Sequence, residues 1–125
     1  MQLEKGFRLE AAHWLPRAPE GHKCRRLHGH SFSVTVVVHG EPDPDTGWIM
    51  DFADIGVAFA PLHELLDHRL LNEVPGLENP TSEHLARWCW ERLRDALPGL
   101  YCVEVQETCT SRCRYFGQEI VRSAL

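Results

Sequence analysis

The chain has 125 residues, of which 43% are hydrophobic and 25% are charged, and its formal net charge is −5. A chain of this length forms one domain that buries about two-thirds of the surface its unfolded form exposes. No apolar run reaches the roughly 20 residues that span a bilayer, and the charge excludes a basic surface over the whole chain. We expect a single domain over residues 1–125, with no membrane span and no nucleic-acid partner.

The N-terminal residues lack the long apolar stretch of a secretory signal peptide. The five cysteines are an odd number, and without a secretory context they do not predict a disulfide framework. We therefore expect reduced thiols and a cytoplasmic location.

Two strands are predicted in the first part of the chain. In residues 7–13 every second side chain is apolar, and His13 continues that parity. Residues 14–26 contain two prolines, a glycine and several charges, which indicates a loop. The second strand is predicted over Phe32–His39, whose even positions are apolar, and His28 and His30 share their parity.

Two helices are predicted after a turn-rich segment at residues 41–47 and a short extended segment at residues 48–52. The first helix covers about residues 53–66, with apolar residues at helical spacing and an expected kink at Pro61. The second begins after Thr81, a plausible N-cap, and stops at Pro98-Gly99.

Two strands are predicted to close the chain. Tyr101, Val103 and Val105 alternate with polar or smaller residues, and a last strand is predicted from about Arg114 to Val121. The order β-β-α-α-β-β predicts an α+β domain, with an antiparallel four-stranded sheet and both helices on one face.

The sharpest local motif is His28-Gly29-His30. Residues i and i+2 of a strand project to the same side about 6.5–7 Å apart, so two imidazoles can converge on one ion. His13 ends the neighbouring predicted strand, and strand pairing would add a third imidazole. Three imidazoles with a vacant fourth position are typical of a catalytic zinc site, although such a pair is also compatible with histidines that bind no metal.

Cys24 lies four residues before His28, in a loop that also carries Lys23, Arg25 and Arg26. These cations would favour the thiolate, which is the form that acts as a base or nucleophile. An inert loop cysteine is an equally compatible interpretation.

Asp67-His68 directly follows the first predicted helix. A carboxylate beside an imidazole can orient and charge a proton shuttle. Adjacent residues need not face each other, and the pair taken alone is also compatible with a solvated helix end.

Glu107 has the parity of Val103 and Val105, so a carboxylate stands where the strand pattern predicts an apolar residue. Burying it without a partner would be costly. A ligand with two parallel N–H donors, such as the amino-pyrimidinone edge of a pterin or guanine, would resolve this cost. The alternative is a residue at the strand end that turns outward to water.

Several segments form a recognisable set in a fixed order along almost the whole chain. They are residues 7–13, Cys24 with three residues before His28-Gly29-His30, Gly47 to Asp51-Phe52, residues 66–72, residues 79–83 and Glu107-Thr108. This set resembles the family of 6-pyruvoyltetrahydropterin synthase and 6-carboxytetrahydropterin synthase. The Cys-x-x-x-His-Gly-His spacing is similar to the 6-carboxytetrahydropterin synthase branch, which makes the queuosine precursor.

The resemblance implies a tunnelling fold whose protomers assemble as trimers stacked into hexamers, with active sites between subunits. It implies that the ligands of a zinc ion are His13, His28 and His30. By the same resemblance the catalytic base is Cys24, with Asp67 and His68 as its relay. The resemblance further implies that Glu107 anchors the pterin and that Thr81, Ser82 and Phe52 line the pocket.

The implied reaction is a lyase reaction on 7,8-dihydroneopterin triphosphate that gives 6-carboxytetrahydropterin, acetaldehyde and triphosphate. Lys23, Arg25 or Arg26 could meet the triphosphate, on the basis of charge and proximity to Cys24. One rival is the pyruvoyl-forming reaction, which eliminates triphosphate and keeps the side chain intact. A rival of another class is a metal-stabilised pterin-binding module without catalysis.

Overall fold

A computed structural model of the chain describes residues 1–117 and contains one four-stranded antiparallel sheet with strand order β1-β2-β3-β4. The strands are β1 (Gln2–His13), β2 (His28–His39), β3 (Leu100–Thr108) and β4 (Ser111–Tyr115). The helices α1 (Phe52–Leu66) and α2 (Ser82–Leu93) lie between β2 and β3, and short 3-10 turns occur at Lys23–Arg25 and Leu71–Glu73. The predicted fold class and element order are confirmed.

Strands β1 and β2 form the longest pairing in the sheet. His13 is paired with His28, Ala11 with His30, and the pairing continues without a bulge to Gln2. Side chains of one parity on both strands are buried against the helices, which is the period-two pattern that the sequence predicted. Both strands are longer than predicted, because β1 begins at Gln2 and β2 already includes His28.

Strand β3 contains two irregularities that change where its side chains point. Val37 pairs with Cys102 and Val38 with Leu100, so Tyr101 is the extra residue of a β-bulge. The prediction that Tyr101 shares the buried face of Val103 is therefore wrong, and its side chain is 38% exposed. A second register shift lies between Gln106 and Thr108, at Glu107.

The starts of both helices follow from their caps. The Asp51 carboxylate accepts a hydrogen bond from the Ala53 N–H at 2.9 Å, so α1 begins at Phe52. Residues 48–52 were predicted to be extended, but residues 48–50 form bends and Phe52 is already helical. The Thr81 hydroxyl accepts from the His84 N–H at 3.1 Å, which confirms the predicted N-cap of α2. Helix α2 ends at Leu93, several residues before the predicted stop.

The core lies between the sheet and the two helices. Helix α2 packs on β3 and β4, and α1 packs on β1. The apolar side chains of the core come from one face of each element, including Phe32, Val34, Phe59, Leu66 and Leu85. Helix α1 continues through Pro61, and all five cysteines are free thiols.

Two remaining predictions are the bounds of the last strand and the absence of a membrane-spanning segment. The last strand begins at Ser111 and ends at Tyr115, and the part predicted over residues 118–121 lies outside the described residues. Within residues 1–117, neither helix has the length and apolar character needed to cross a bilayer.

Candidate metal centre and active site

Three imidazole rings converge where β1 and β2 end. One ring nitrogen from each of His13, His28 and His30 lies within 4.8 Å of the other two. The pairing of His13 with His28 and the i, i+2 spacing on β2 produce this convergence. Within residues 1–117, this is the single group of three such side chains close enough to hold a metal ion.

Backbone carbonyls orient two of these rings. Nδ1 of His13 lies 2.8 Å from the Pro80 carbonyl, and Nδ1 of His28 lies 2.7 Å from the Arg26 carbonyl. A carbonyl only accepts hydrogen bonds, so Nδ1 carries a proton in each ring, and in the neutral form of the ring Nε2 then has a free lone pair. Hydrogen bonds of this kind commonly fix metal-binding histidines in proteins.

His13 provides the strongest indication that the group fits a cation. Its side chain is 1% exposed, and its Nε2 has no hydrogen-bond partner. Burial lowers the pKa of His13, although the hydrogen bond to Pro80 and the charge of Glu107 oppose this shift. The neutral ring binds metals, so a buried, unpartnered lone pair of this kind fits a metal ligand.

The carboxylate of Glu107 reaches the same cluster from β3. Its Oε1 lies 3.5 Å from Nε2 of His13, and its Oε2 lies 3.9 Å from Nε2 of His30. Ser82, the first residue of α2, directs its hydroxyl towards Oε1 at 3.5 Å. The β-bulge at Glu107 places the carboxylate next to the histidines, on the side where α2 begins.

The other residues implied to line a pterin pocket lie in two places. Ser82 and Glu107 line a cavity of about 380 Å³ together with Glu83, Ser111, Arg112 and Cys113. Thr81 directly precedes Ser82 in the chain, and its hydroxyl caps α2. Phe52 lies at the first residue of α1, where half of its surface is exposed.

Cys24 is held in the short 3-10 turn Lys23–Arg25, and it is partly exposed. Its backbone N–H donates to Nδ1 of His22 at 3.0 Å, so the preceding histidine caps the turn. The Arg25 guanidinium donates to the Ala18 carbonyl at 3.0 Å and thereby ties the loop together. Arg25 therefore has a structural contact, whereas Lys23 and Arg26 flank Cys24 as exposed charges.

Asp67 and His68 face each other just after α1. The His68 Nδ1–H donates to Asp67 Oδ2 at 2.9 Å, and Asp67 Oδ1 accepts from the Glu10 N–H at 2.9 Å. The hydrogen bond from Glu10 and the contact with His68 lower the pKa of the Asp67 carboxyl below its ordinary value. The Asp67 carboxylate thus fixes one tautomer of the His68 imidazole, although this imidazole is largely exposed at the end of the helix.

The backbone of His68 is unusual for a residue with a side chain. Its φ of 57° lies in the left-handed region, which costs a non-glycine residue about 1–3 kcal/mol. The His68 N–H donates to the Glu10 carbonyl at 2.6 Å and holds this conformation against β1. The imidazole remains 77% exposed and faces a cavity of about 600 Å³ that Glu10, His30 and Ser31 also line.

Several residues that build the site carried no signal in the sequence. Glu10 positions both Asp67 and His68 through its backbone, and Pro80 orients His13 through its carbonyl. His63 lies 3.1 Å from the Arg8 carbonyl through Nε2. Backbone groups can come from any residue type, so only their position in the fold reveals these roles.

Comparison with known proteins agrees with this geometry. The sequence model of the family described as 6-pyruvoyl tetrahydropterin synthase matches residues 2–118. The chain belongs to this family. It is 48% identical over 124 residues to a Synechocystis protein named 6-carboxy-5,6,7,8-tetrahydropterin synthase, across 94% of this chain and 95% of that protein.

Two further proteins that resemble this chain carry other names. A Pyrococcus furiosus protein named dihydroneopterin monophosphate aldolase is 41% identical over 91 residues, which are 73% of each chain. The solved structure of the Caenorhabditis elegans 6-pyruvoyl tetrahydropterin synthase superposes with a TM-score of 0.87 at 27% identity. That superposition covers 94% of this chain and 96% of the nematode chain, so the family fold extends over nearly the whole sequence.

Proposed function

We propose that this chain is a zinc-dependent carbon–carbon lyase of queuosine biosynthesis. It converts 7,8-dihydroneopterin triphosphate and one water molecule to 6-carboxy-5,6,7,8-tetrahydropterin, acetaldehyde and triphosphate. The observation that carries this function is the convergence of three histidine nitrogens within 4.8 Å, one of them buried and unpartnered. The name of the Synechocystis relative, 48% identical over most of both chains, supports the reaction.

Zinc is the proposed metal because His13, His28 and His30 offer three neutral imidazoles and leave one side open. When bound, it would supply Lewis-acid polarisation of oxygen atoms on the substrate side chain. The hydrogen bonds to the Pro80 and Arg26 carbonyls hold two of the rings in the tautomer that presents Nε2.

The proton transfers are assigned to Cys24 and to the Asp67–His68 pair. Cys24 is partly exposed, so its thiolate can take a proton from a substrate carbon. Asp67 accepts the Nδ1–H of His68, which leaves Nε2 of His68 as the atom that receives or returns a proton. Asp67 stabilises the imidazolium that forms.

Recognition of the pterin is assigned to Glu107, whose carboxylate can accept two parallel N–H donors from the amino-pyrimidinone edge. Ser82 lies within 3.5 Å of this carboxylate and borders the same cavity. Thr81 and Phe52 are proposed as further pocket residues.

The proposed active site is completed by a second copy of the chain, in a trimer or a dimer of trimers. Within residues 1–117 no hydrogen bond joins His68 to Cys24, although the mechanism requires both near one substrate. The exposed imidazole of His68 faces an open cavity that a neighbouring copy can fill. The protein is proposed to act in the cytoplasm as one domain over residues 1–125.

Mixing two inactive variants tests the shared site. Cys24→Ala and His68→Ala homo-oligomers should each be inactive, whereas hybrids formed by dissociating and reassembling the mixture should recover part of the activity. Size-exclusion chromatography with light scattering gives the number of copies. Hybrids without activity, despite confirmed subunit exchange, would contradict a site shared between subunits.

A product assay separates the proposed reaction from its rivals. Purified zinc-loaded protein and 7,8-dihydroneopterin triphosphate should release acetaldehyde and triphosphate in equal amounts, and the pterin product should be the 6-carboxy compound by mass spectrometry. Triphosphate without acetaldehyde would instead support the pyruvoyl-forming reaction. If the wild-type protein formed no product above the uncatalysed rate, and Cys24→Ala left that rate unchanged, the chain would be a binding module without catalysis.

A further inference from the structure

Asn72 binds the backbone at the point where the chain leaves β1. Its Oδ1 accepts a hydrogen bond from the Trp14 N–H at 3.0 Å, and its Nδ2 donates to the Trp14 carbonyl at 2.8 Å. A side-chain amide has both a donor and an acceptor, so one residue satisfies the N–H and the carbonyl of another. Because β1 ends at His13, Asn72 takes the place of a neighbouring strand at the next residue along the chain.

The main chain before Asn72 lies along the same edge of β1. The Ala12 N–H donates to the Arg69 carbonyl at 3.0 Å, and Ala12 and Leu70 form an isolated parallel β-bridge. Alternate residues of an extended chain direct their backbone hydrogen-bonding groups to the same side, so Ala12 and Trp14 both face this segment. The Asn72 side chain therefore continues, beyond the end of the strand, the pairing that the main chain makes at Ala12.

This contact is directly connected to the turn that holds Cys24. Leu15 follows Trp14, and its N–H donates to the Cys24 carbonyl at 2.8 Å. The direction in which the chain leaves β1 therefore determines where the 3-10 turn Lys23–Arg25 lies relative to the sheet. Asn72 fixes that direction through both of its hydrogen bonds to Trp14.

We propose that Asn72 is a positioning residue for Cys24. It acts through Trp14 and Leu15, and it keeps the thiol at a fixed place relative to the end of β1, where His13 lies. A base that takes a proton from a substrate atom must lie within hydrogen-bond reach of it, so the position of the thiol limits the rate. The inference rests on the role of Cys24 in the proposed function, whereas the hydrogen-bonded tether does not.

Asn72 and His68 belong to the same short segment but have different partners. The His68 imidazole faces the open cavity of about 600 Å³, whereas the Asn72 amide faces Trp14 of its own chain. If the active site is shared between subunits, as proposed, His68 acts on substrate beside the Cys24 of a neighbouring copy. Asn72 then supports the thiol of its own copy, so residues 68–72 contribute to two active sites.

Hydrogen–deuterium exchange without substrate tests the tether. In Asn72→Ala, peptides that contain the Trp14 and Leu15 amides should exchange at least about fivefold faster, as expected when two hydrogen bonds of ordinary strength are lost. Peptides from β2 should keep their wild-type rates. Asn72→Asp should also speed exchange, because a carboxylate oxygen would replace the donor that faces the Trp14 carbonyl.

Glu73→Gln is the matched control, because it changes an exposed side chain of the same 3-10 turn, Leu71–Glu73. It should leave the exchange rates and turnover unchanged. Wild-type exchange at Trp14 and Leu15 in both Asn72 variants would overturn the tether.

Steady-state kinetics test the effect on Cys24. Asn72→Ala should lower kcat for acetaldehyde release by about 10²-fold with little change in KM, because a displacement of ~1 Å at a reacting group costs a factor of this order. The zinc content should equal that of the wild type, since His13 is held separately by its pairing with His28 and by the Pro80 carbonyl. Loss of zinc together with activity would overturn the inference, because Asn72 would then support a metal ligand instead.

Hybrid oligomers identify which half of the site Asn72 serves. Mixed with His68→Ala, Asn72→Ala should recover activity, because one subunit supplies a well-placed Cys24 and the other an intact His68. Mixed with Cys24→Ala it should recover none, because no subunit then supplies a well-placed thiol. Any other pattern, in preparations where Cys24→Ala and His68→Ala restore each other, would overturn the assignment of Asn72 to Cys24.

The outcomes separate this inference from the proposed function. If the wild type releases no acetaldehyde, the proposed reaction fails, and hydrogen exchange still decides whether Asn72 holds the loop. If the wild type is active and Asn72→Ala exchanges faster but keeps its kcat, the positioning of Cys24 is overturned and the proposed function stands.

Discussion

Replacing Asp67 by asparagine isolates the role of its charge in the proton relay. Asp67 accepts two hydrogen bonds, from the Glu10 N–H and from the His68 Nδ1–H, both at 2.9 Å. Asparagine retains one acceptor oxygen, and this oxygen should continue to accept the hydrogen bond from the Glu10 N–H. The amide NH₂ then faces His68, so Nδ1 must become the acceptor and the proton moves to Nε2.

The size of the effect follows from this change of tautomer. Nε2 of His68 is the atom proposed to receive a proton, and in Asp67→Asn it already carries one. General acid–base catalysis contributes about 10²–10⁴-fold, so kcat for acetaldehyde release should fall by about that factor with little change in KM. The fold should persist, since the substituted side chain has nearly the same shape.

Two measurements check this reasoning, and Glu64→Gln serves as the control because it removes an exposed carboxylate from the last turn of α1, close in sequence to Asp67. Nitrogen-15 NMR of the imidazoles should show the proton of His68 on Nδ1 in the wild type and on Nε2 in Asp67→Asn. A variant with unchanged kcat, or one that loses kcat while His68 keeps its wild-type tautomer, would refute this role for Asp67.

The pH dependence of Asp67 has a definite sign. Its pKa in the folded protein is lowered, first by the Glu10 hydrogen bond and then by His68, so the native state favours the carboxylate. This contribution to stability is present above the ordinary aspartate pKa and is lost as the pH falls through the lowered value. In Asp67→Asn, the acid unfolding curve should therefore be flatter at low pH. The free energy of unfolding is measured by urea titration at several pH values. If it fell equally steeply with decreasing pH in both proteins, this prediction would be contradicted.

Three further substitutions test the packing and the loop. Phe59→Ala removes a fully buried ring that stacks on Phe7. It should lower the free energy of unfolding, measured by urea titration, by about 3–5 kcal/mol. A loss below ~1 kcal/mol would contradict this packing. Gly99→Ala would place a Cβ 2.7 Å from the His39 carbonyl oxygen and should destabilise by about 1–3 kcal/mol, whereas an unchanged unfolding midpoint would show that this strand contact can shift freely. His22→Ala removes the acceptor that caps the Cys24 turn and should reduce turnover several-fold. His22→Asn keeps a side-chain acceptor and should restore turnover. Equal rates for the two variants would show that this cap does not contribute to turnover.

Much of the fold could be predicted because its signals are local. Alternation along β1 and β2 fixed the buried face, and with it the common side of His13, His28 and His30. The Thr81 cap marked the start of α2 through one hydrogen bond between residues three apart. Tyr101 was predicted on the wrong face because a β-bulge adds one residue to β3, and the cross-strand register, not the composition of the strand, determines where that happens.

The sequence by itself determined which side chains could bind a metal and which strand face they share, because period-two alternation is a property of neighbouring residues. Only the tertiary structure decided that a carboxylate oxygen of Glu107 lies 3.5 Å from Nε2 of His13 and that Glu10 holds Asp67 across 57 residues of chain. It also decided that His68 is not hydrogen-bonded to Cys24. Such contacts depend on strand register and helix packing, which arise when distant segments fold against each other.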